Sequence, residues 1–375
     1  RGMSSAASDV YKRQALVHDY LCGYGGSERI FEYMCQEFKE ADIFTLSYNK
    51  NKTLPEYKSY KINTTFLNIF VRSMESFRWS FPIATYAMES INLSKYDVVL
   101  SSSATVAKYI NVPNGIHICY CYIPTRALWQ KDEYFNQSWK EYLINPFLNY
   151  LRNRDLKAAL KVDYFISQSM DTQSHIQNIY QRDSDIINGP IDTSRFKSQQ
   201  LNKNPEKYLL VSRLENWKKV DYAIDAFNIL KLPLKIVGSG KESFRLMKRA
   251  NKNIEFLGTL SDKDLAKEYS NAKAVIFPPL LEYGLTPLEA NACGTPVIAY
   301  GKGGIEETMI PFDKGNELKS TAVFFYEQNA EELIKAVHEF ENIKFNINFI
   351  INHDKKCIIP TFKEKLREYV NDKKW

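Results

Sequence analysis

From Ala15 onward the chain alternates short apolar runs with amphipathic stretches of roughly 10–15 residues, and it does so in two sets. In the first, Ala15–Leu21, Asp97–Ser103, Ile116–Ile123 and Asp163–Ser169 read as strands. In the second, the strands are Tyr208–Leu214, Lys235–Val237, Ile254–Leu257, Ala274–Pro278 and Pro296–Tyr300. Such alternation predicts βα units and parallel sheets, and two sets predict an α/β chain of two doubly wound, Rossmann-like domains. The expected order is a first domain over 15–196, a polar linker over 197–207, a second domain over 208–345, and a C-terminal tail or helix over 346–375 that packs back on the first. Residues 1–14 open with Arg, run through small polar residues and lack the apolar core of a signal peptide. They read as a non-native or disordered segment. Ligands in this architecture bind at the carboxyl ends of strands, which two domains would place in a cleft.

Composition removes several function classes. The formal charge is only +6, and no basic tail stands out, which argues against a nucleic-acid arm. No apolar run approaches the roughly 18 residues of a membrane-spanning helix. The six cysteines form no C-x-x-C pair and sit mostly in apolar surroundings, as buried reduced thiols of a cytosolic protein do. Cys119 and Cys121 are spaced to share one face of a strand. Aromatic content is high at 14%, and part of it gathers in Lys58–Met88. There Tyr60, Phe66, Phe70, Phe77, Trp79, Phe81 and Tyr86 interleave with Lys58, Lys61, Arg72 and Arg78. Helices here would suit an anionic membrane surface, or a core with a solvated edge, and Pro82 predicts two short helices instead of one.

Three stretches carry chemistry. In Leu209–Asp221, Arg213 closes an apolar strand and Lys218 follows just before a helix. Two cations there can neutralise a diphosphate. In Pro278–Ala299, a strand ends, Gly284 loosens a loop, and Thr286-Pro287-Leu288-Glu289 has the pattern of an N-cap, first helical position and capping-box glutamate. Such a helix end can hold an anion or simply cap itself. Gly294 should end that helix. Weaker signals are Gly238-Ser239-Gly240 and Gly25-Gly26-Ser27, both strand-to-helix turns of small residues. His18 stands at the end of the first strand beside Asp19. Asp183-Ser184-Asp185 and Asp262-Lys263-Asp264 have the spacing of a D-x-D metal motif without its strand-and-turn context.

Together these residues resemble glycosyltransferase family 4, the retaining nucleotide-sugar enzymes of GT-B fold, from about Ala15 to about Thr308 and most strongly over Tyr208–Thr308. His18-Asp19-Tyr20…Gly25-Gly26-Ser27-Glu28, Cys119–Arg126 and Gly189–Phe196 are similar to the bacterial polysaccharide and O-antigen mannosyltransferase branch. The resemblance implies two Rossmann-like domains facing across a cleft and a metal-independent hexosyltransferase with no cofactor. Its partners would be a nucleotide-diphosphate sugar and a glycan or lipid-linked acceptor, with the segment Lys58–Met88 the candidate contact with the inner face of an anionic membrane. Arg213 and Lys218 match the family's basic pair on the donor diphosphate, and Glu289 the glutamate that binds ribose. The backbone of Leu285 and Thr286, after Gly284, would meet the diphosphate. Gly25, Gly26 and Gly238 would let the donor approach closely, and His18, Tyr122 and Arg126 would lie on the acceptor side. The chain departs from the pattern twice. Leu281 stands where the family has its first glutamate, with Glu282 one residue later, and Tyr122 replaces a histidine. Those departures keep open a nucleotide-sugar-binding or regulatory subunit, and an epimerase of the same fold is a further alternative.

Overall fold

The computed structural model describes residues 13–130, 140–196, 205–353 and 358–373, with the backbone alone for 140–145 and 317. The expected linker falls largely on 197–204, and Cys357 and residues 1–12 also lie outside the described residues. The chain forms two compact units. The first contains the chain up to Ser167, His175–Ile186 and the residues from Lys365 on; the second contains Gln168–Ser174 and Ile187–Glu364.

Among the described residues, seven strands build the sheet of the first unit. They are β1 (Gln14–His18), β2 (Asp42–Thr45), β3 (Ile62–Thr64), β4 (Val98–Ser103), β5 (Ile116–Cys121), β6 (Tyr164–Ser167) and β7 (Ser184–Ile186). All pairings are parallel, in the order β3-β2-β1-β4-β5-β6-β7. Six more build the second: β8 (Tyr208–Val211), β9 (Leu234–Val237), β10 (Ile254–Gly258), β11 (Val275–Phe277), β12 (Val297–Tyr300) and β13 (Ala322–Phe325). Their order is β10-β9-β8-β11-β12-β13, again parallel throughout. Strand order reverses direction between β1 and β4 in one sheet and between β8 and β11 in the other. Those are the topological switch points where such sheets bind ligands.

Strand alternation explains the layering. Tyr208 and Leu210 of β8, Ile276 of β11 and Ile298 of β12 join one core cluster. Leu209, Val275, Phe277, Val297 and Ala299 point the other way into a second cluster. The sheet is buried on both faces, as parallel sheets require. In the first unit Cys119 and Cys121 share one cluster with Phe165 and Tyr180, and both thiols are free and buried.

Pro82 does not divide the aromatic segment into two helices. After β3 and a short turn of helix at Phe66–Ile69, a single helix spans Met74–Glu89 with Pro82 inside it. Ser73 caps it in a reciprocal box with Ser76, and Phe77, Ala84, Thr85, Ala87 and Met88 are buried. That burial offsets the roughly 3 kcal/mol that an interior proline costs. The opposite face is apolar yet exposed: Trp79, Ile83 and Tyr86, spaced one helical turn apart, are 87%, 55% and 47% accessible. Phe147 and Tyr150 of the helix Lys140–Leu160 extend this surface, since the Tyr86 and Tyr150 hydroxyls meet. At the C-terminus, Arg367 pairs with Glu37, and the Tyr369 hydroxyl donates to Asp185 at 2.8 Å, both within the first unit.

Candidate functional site

In the second unit the candidates lie at the carboxyl ends of β8, β9 and β11, with β8 and β11 flanking the switch point. β8 ends at Val211, and the chain turns through Arg213 and a short 3-10 turn at Asn216–Lys218 before the helix Val220–Leu230. Trp217 between them acts as a platform. The Arg213 guanidinium lies 5.9 Å and the Lys218 ammonium 4.1 Å from its indole centroid. Two cations are thus brought to one ring, although attraction to the π face only partly offsets their mutual repulsion. Arg213 is exposed, so its charge is available to a ligand.

Gly238 and Gly240 bring the β9 loop against this turn. A Cβ on Gly238, whose φ is +130°, would sit 1.9 Å from the Ser212 carbonyl oxygen, and one on Gly240 would sit 2.3 Å from that of Leu214. The amide of Leu214 donates to the Ser239 carbonyl at 2.9 Å. The glycines are therefore demanded by backbone approach, whatever else they contact.

After β11 the helix begins at Leu285 and ends at Ala292, with Gly284 as N-cap and no side-chain cap. The expected capping box does not form. Thr286 is the second helical residue and Glu289 the fifth, one turn in. The helix starts earlier because tertiary contacts fix the preceding loop: the Tyr283 hydroxyl donates to Gly189 O at 2.8 Å, and Gly284 packs on the Phe277 ring. Gly294, at φ +81°, ends the helix as expected. Freed from capping, Glu289 accepts a hydrogen bond at 3.0 Å from the hydroxyl of Tyr269, which Thr286 also approaches as a hydrogen-bonding partner. Glu282 is buried, and its carbonyl takes the Ser169 hydroxyl at 2.6 Å. Leu281 bridges to Gly303, and a Cβ on Gly304 would meet the Glu282 carbonyl oxygen at 2.1 Å, so this loop is clamped by backbone.

In the first unit His18, Asp19, Gly25, Gly26 and Tyr122 gather at the ends of β1, β4 and β5. His18 is buried and stacks on Phe31 at 4.6 Å. Burial pushes its pKa down, against the charges of Asp19 and Glu28. Its Nδ1 is 2.9 Å from Ser102 Oγ, which is 2.9 Å from the Tyr122 hydroxyl, which donates to Ser27 O at 3.1 Å. The Ser27 carbonyl can only accept. The chain of donors therefore runs from His18 Nδ1–H through Ser102 and Tyr122 to the glycine loop, and it fixes the imidazole tautomer. Gly25 caps the helix Gly26–Glu37, and a Cβ there would lie 2.6 Å from the Glu28 carboxylate. Asp19 is fully engaged elsewhere: its two oxygens accept from the amides of Ala104, Thr105, Val106 and Ala107 at 2.6–2.9 Å. Arg126 opens the short helix Arg126–Trp129 after β5 and is partly buried.

The structure thus joins Arg213 with Lys218, Glu289 with Thr286, and His18 with Tyr122. The connecting residues Trp217, Tyr269 and Ser102 were not among the candidates. Tyr269 had a signal: Leu265, Ala266 and Tyr269 have the helical spacing of a buried face, and a buried phenol needs a partner. The D-x-D patterns are occupied structurally. Asp262 pairs with Arg195 at 3.1 Å, and Asp264 accepts from the capping Ser261 hydroxyl at 2.6 Å. Asp185 holds Tyr369.

Residues 192–357 match the family model described as Glycosyl transferases group 1. The chain is 21% identical to the Candida glabrata alpha-1,3/1,6-mannosyltransferase ALG2, over 94% of this chain and 90% of that protein. It is 25% identical to the Dictyostelium discoideum ALG2, over 58% of this chain and 62% of that one. Among solved structures, Anabaena HepE in complex with UDP and glucose superposes with a TM-score of 0.70 at 14% identity, over 97% of this chain and 100% of that chain. The fold is that of the GT-B glycosyltransferases, two parallel-sheet Rossmann-like domains.

Proposed function

We propose that this chain, a glycosyltransferase of group 1 type, is a retaining hexosyltransferase that moves a sugar from a nucleotide-diphosphate donor to a glycan or lipid-linked acceptor in surface polysaccharide synthesis. The observation that carries the reading is the convergence of Arg213 and Lys218 on Trp217 after β8, while the helix Leu285–Ala292 follows β11, the strand paired with β8. A diphosphate leaving group gathers charge as the sugar departs. Two cations and a helix N-terminus stabilise that charge, and no metal ion or cofactor is required. Glu289 would take the ribose hydroxyls, and the backbone of Gly284, Leu285 and Thr286 the phosphates. In the GT-B retaining enzymes this chain resembles, the leaving phosphate accepts the acceptor's proton, so no side chain is assigned as general base. The mannosyltransferase relatives favour mannose as the sugar.

A panel of nucleotide sugars that includes GDP-mannose and UDP-glucose tests this by thermal shift. One donor should raise Tm by several degrees at concentrations well above its Kd, and that donor should be hydrolysed or transferred. Absence of any shift across the panel overturns the reading. A second reading, a donor-binding subunit without turnover, is favoured by Leu281 at the family's glutamate position and by a Tyr122 hydroxyl turned inward on Ser27. It predicts the thermal shift with neither hydrolysis nor transfer.

The acceptor side would lie at an anionic membrane surface on the cytoplasmic side. Trp79, Ile83 and Tyr86 are exposed on one helix face, with Lys58, Lys61 and Arg72 exposed in the same segment. Among the described residues no helix is long and apolar enough to cross a membrane. The chain should sediment with anionic liposomes at low salt, and Trp79→Ser or the triple change of Lys61, Arg72 and Arg78 to Gln should weaken this several-fold. Failure to bind such vesicles rules the contact out.

A further inference from the structure

We propose that Tyr269 is a positioning residue for Glu289: its buried hydroxyl fixes the carboxylate that receives the nucleotide ribose, and so sets how strongly the site prefers ribose to deoxyribose. The inference rests on the assignment of Glu289 to the ribose and goes one residue behind it. Tyr269 is the penultimate residue of the helix Asp262–Ser270 and is 0% accessible. It lies twenty positions before its partner, and its hydroxyl reaches Glu289 Oε2 at 3.0 Å. Both its ring and its backbone are held. Phe196 packs edge-on at 6.0 Å, and the Tyr269 carbonyl accepts the Thr295 hydroxyl at 2.6 Å. A phenol fixed in this way cannot follow a carboxylate that swings between rotamers, so the carboxylate is selected in one rotamer.

The chemistry favours this arrangement. A carboxylate has about four acceptor positions, so an oxygen that accepts from Tyr269 can still accept from a sugar hydroxyl. A glutamate on the first turns of a helix, with several rotatable bonds, would otherwise lose rotamer freedom on binding a diol. The phenol imposes that loss during folding and leaves less to be lost when the nucleotide arrives. Burial and the Glu289 charge both push the Tyr269 pKa well up, so the hydroxyl keeps its proton and remains a donor throughout the physiological range.

The test is calorimetry of GDP and UDP against their deoxyribose counterparts, in the native chain, Tyr269→Phe, Glu289→Gln and the double variant. Phenylalanine retains the ring and its packing and removes only the hydroxyl. The native chain should prefer the ribose form of whichever base it binds. Tyr269→Phe should lower that preference by roughly threefold to tenfold, as expected for one hydrogen bond to a charged group. Glu289→Gln should lower it at least as far, and the double variant should add little, because the two residues act in series. If Tyr269→Phe keeps the native ratio, or weakens ribose and deoxyribose forms equally, Tyr269 is merely structural and the inference is overturned. If Glu289→Gln keeps the native ratio, the ribose assignment itself fails, and the inference falls with it at a different variant.

Discussion

Changing Arg213 and Lys218 together to alanine should weaken the binding of a nucleoside diphosphate by about a hundredfold or more while leaving the fold intact. Each cation that meets a phosphate makes charge-assisted hydrogen bonds worth about 1.5–3 kcal/mol, or roughly tenfold to hundredfold in affinity. The loss of fold stability should be much smaller. Arg213 is exposed, and its contact with Trp217 is a cation–π approach of 5.9 Å, worth about 0.5–1 kcal/mol at an exposed site. A chain of this size should therefore lose only a few degrees of Tm. Arg213→Lys separates two contributions. It keeps the charge and loses the planar fork, so an intermediate affinity marks bidentate contact with phosphate, and native affinity marks a point charge. The native affinity should also fall as salt rises, because both cations stand near solvent, and the double alanine variant should show a flatter salt dependence. Unchanged calorimetric affinity in both single variants would remove the diphosphate from this end of β8.

The legible and illegible parts of this chain divide along physical lines. The central strands were readable because they are buried on both faces and run apolar without interruption: β4 and β5 are buried along their whole length. The strands that were not anticipated are β2, β3, β7 and β13. Three of these, β3, β7 and β13, lie at sheet edges, and β3 and β7 have three residues each, too short and too polar to give a run. Pro82 misled because an interior proline is a local cost, whereas the helix Met74–Glu89 is stabilised by five buried side chains that no local rule weighs. Thr286-Pro287-Leu288-Glu289 misled for the same reason. Its spacing satisfies a capping box, yet Tyr283 and Gly284 are held by Gly189 and Phe277 and start the helix sooner. The cations were visible because an arginine closing an apolar strand is out of place. The residues that hold the candidates were not, because they are far away in sequence. Ser102 reaches His18 across 84 positions and Tyr269 reaches Glu289 across 20.

The second large effect lies in the first unit, where replacing Lys108 by methionine should cost about 3–5 kcal/mol. Lys108 and Asp155 form an ion pair at 2.8 Å with 1% and 0% of their side chains accessible. All three Lys108 protons and both Asp155 oxygens are engaged. Lys108 also donates to Thr105 O and Thr125 Oγ1, both at 2.8 Å. Asp155 also accepts from Tyr109, Thr125, Trp129 and Tyr180 at 2.7–3.0 Å. Burial is the largest single influence and would lower the Lys108 pKa, but the charge and hydrogen bond of Asp155, with smaller contributions from Cys121 and Cys119, together outweigh it and hold the ammonium above its ordinary value. Burial alone would raise Asp155, and Lys108 with its hydrogen-bond donors holds it below. A depressed carboxylate stabilises the fold above its unfolded value near pH 4 and loses that contribution as pH falls through its folded value. A raised ammonium stabilises below its unfolded value near pH 10 and loses that contribution as pH rises through its folded value. The pair should therefore contribute evenly between about pH 4 and 10 and be insensitive to salt. Lys108→Met leaves an uncompensated buried carboxylate, and Asp155→Leu leaves an uncompensated ammonium. The double variant leaves neither charge and should cost less in urea unfolding than the two single variants summed, the remaining loss coming from the Tyr109, Thr125, Trp129 and Tyr180 donors left without their acceptor. A double variant whose cost equals the sum of the two singles would show that the charges are not coupled. The pair also ties Thr125, next to Arg126, to the loop whose amides grip Asp19, one residue beyond His18. On the proposed assignment of the acceptor to the first unit and of the diphosphate to Arg213 and Lys218 in the second, Lys108→Met should disturb acceptor kinetics while nucleoside-diphosphate affinity stays close to its native value.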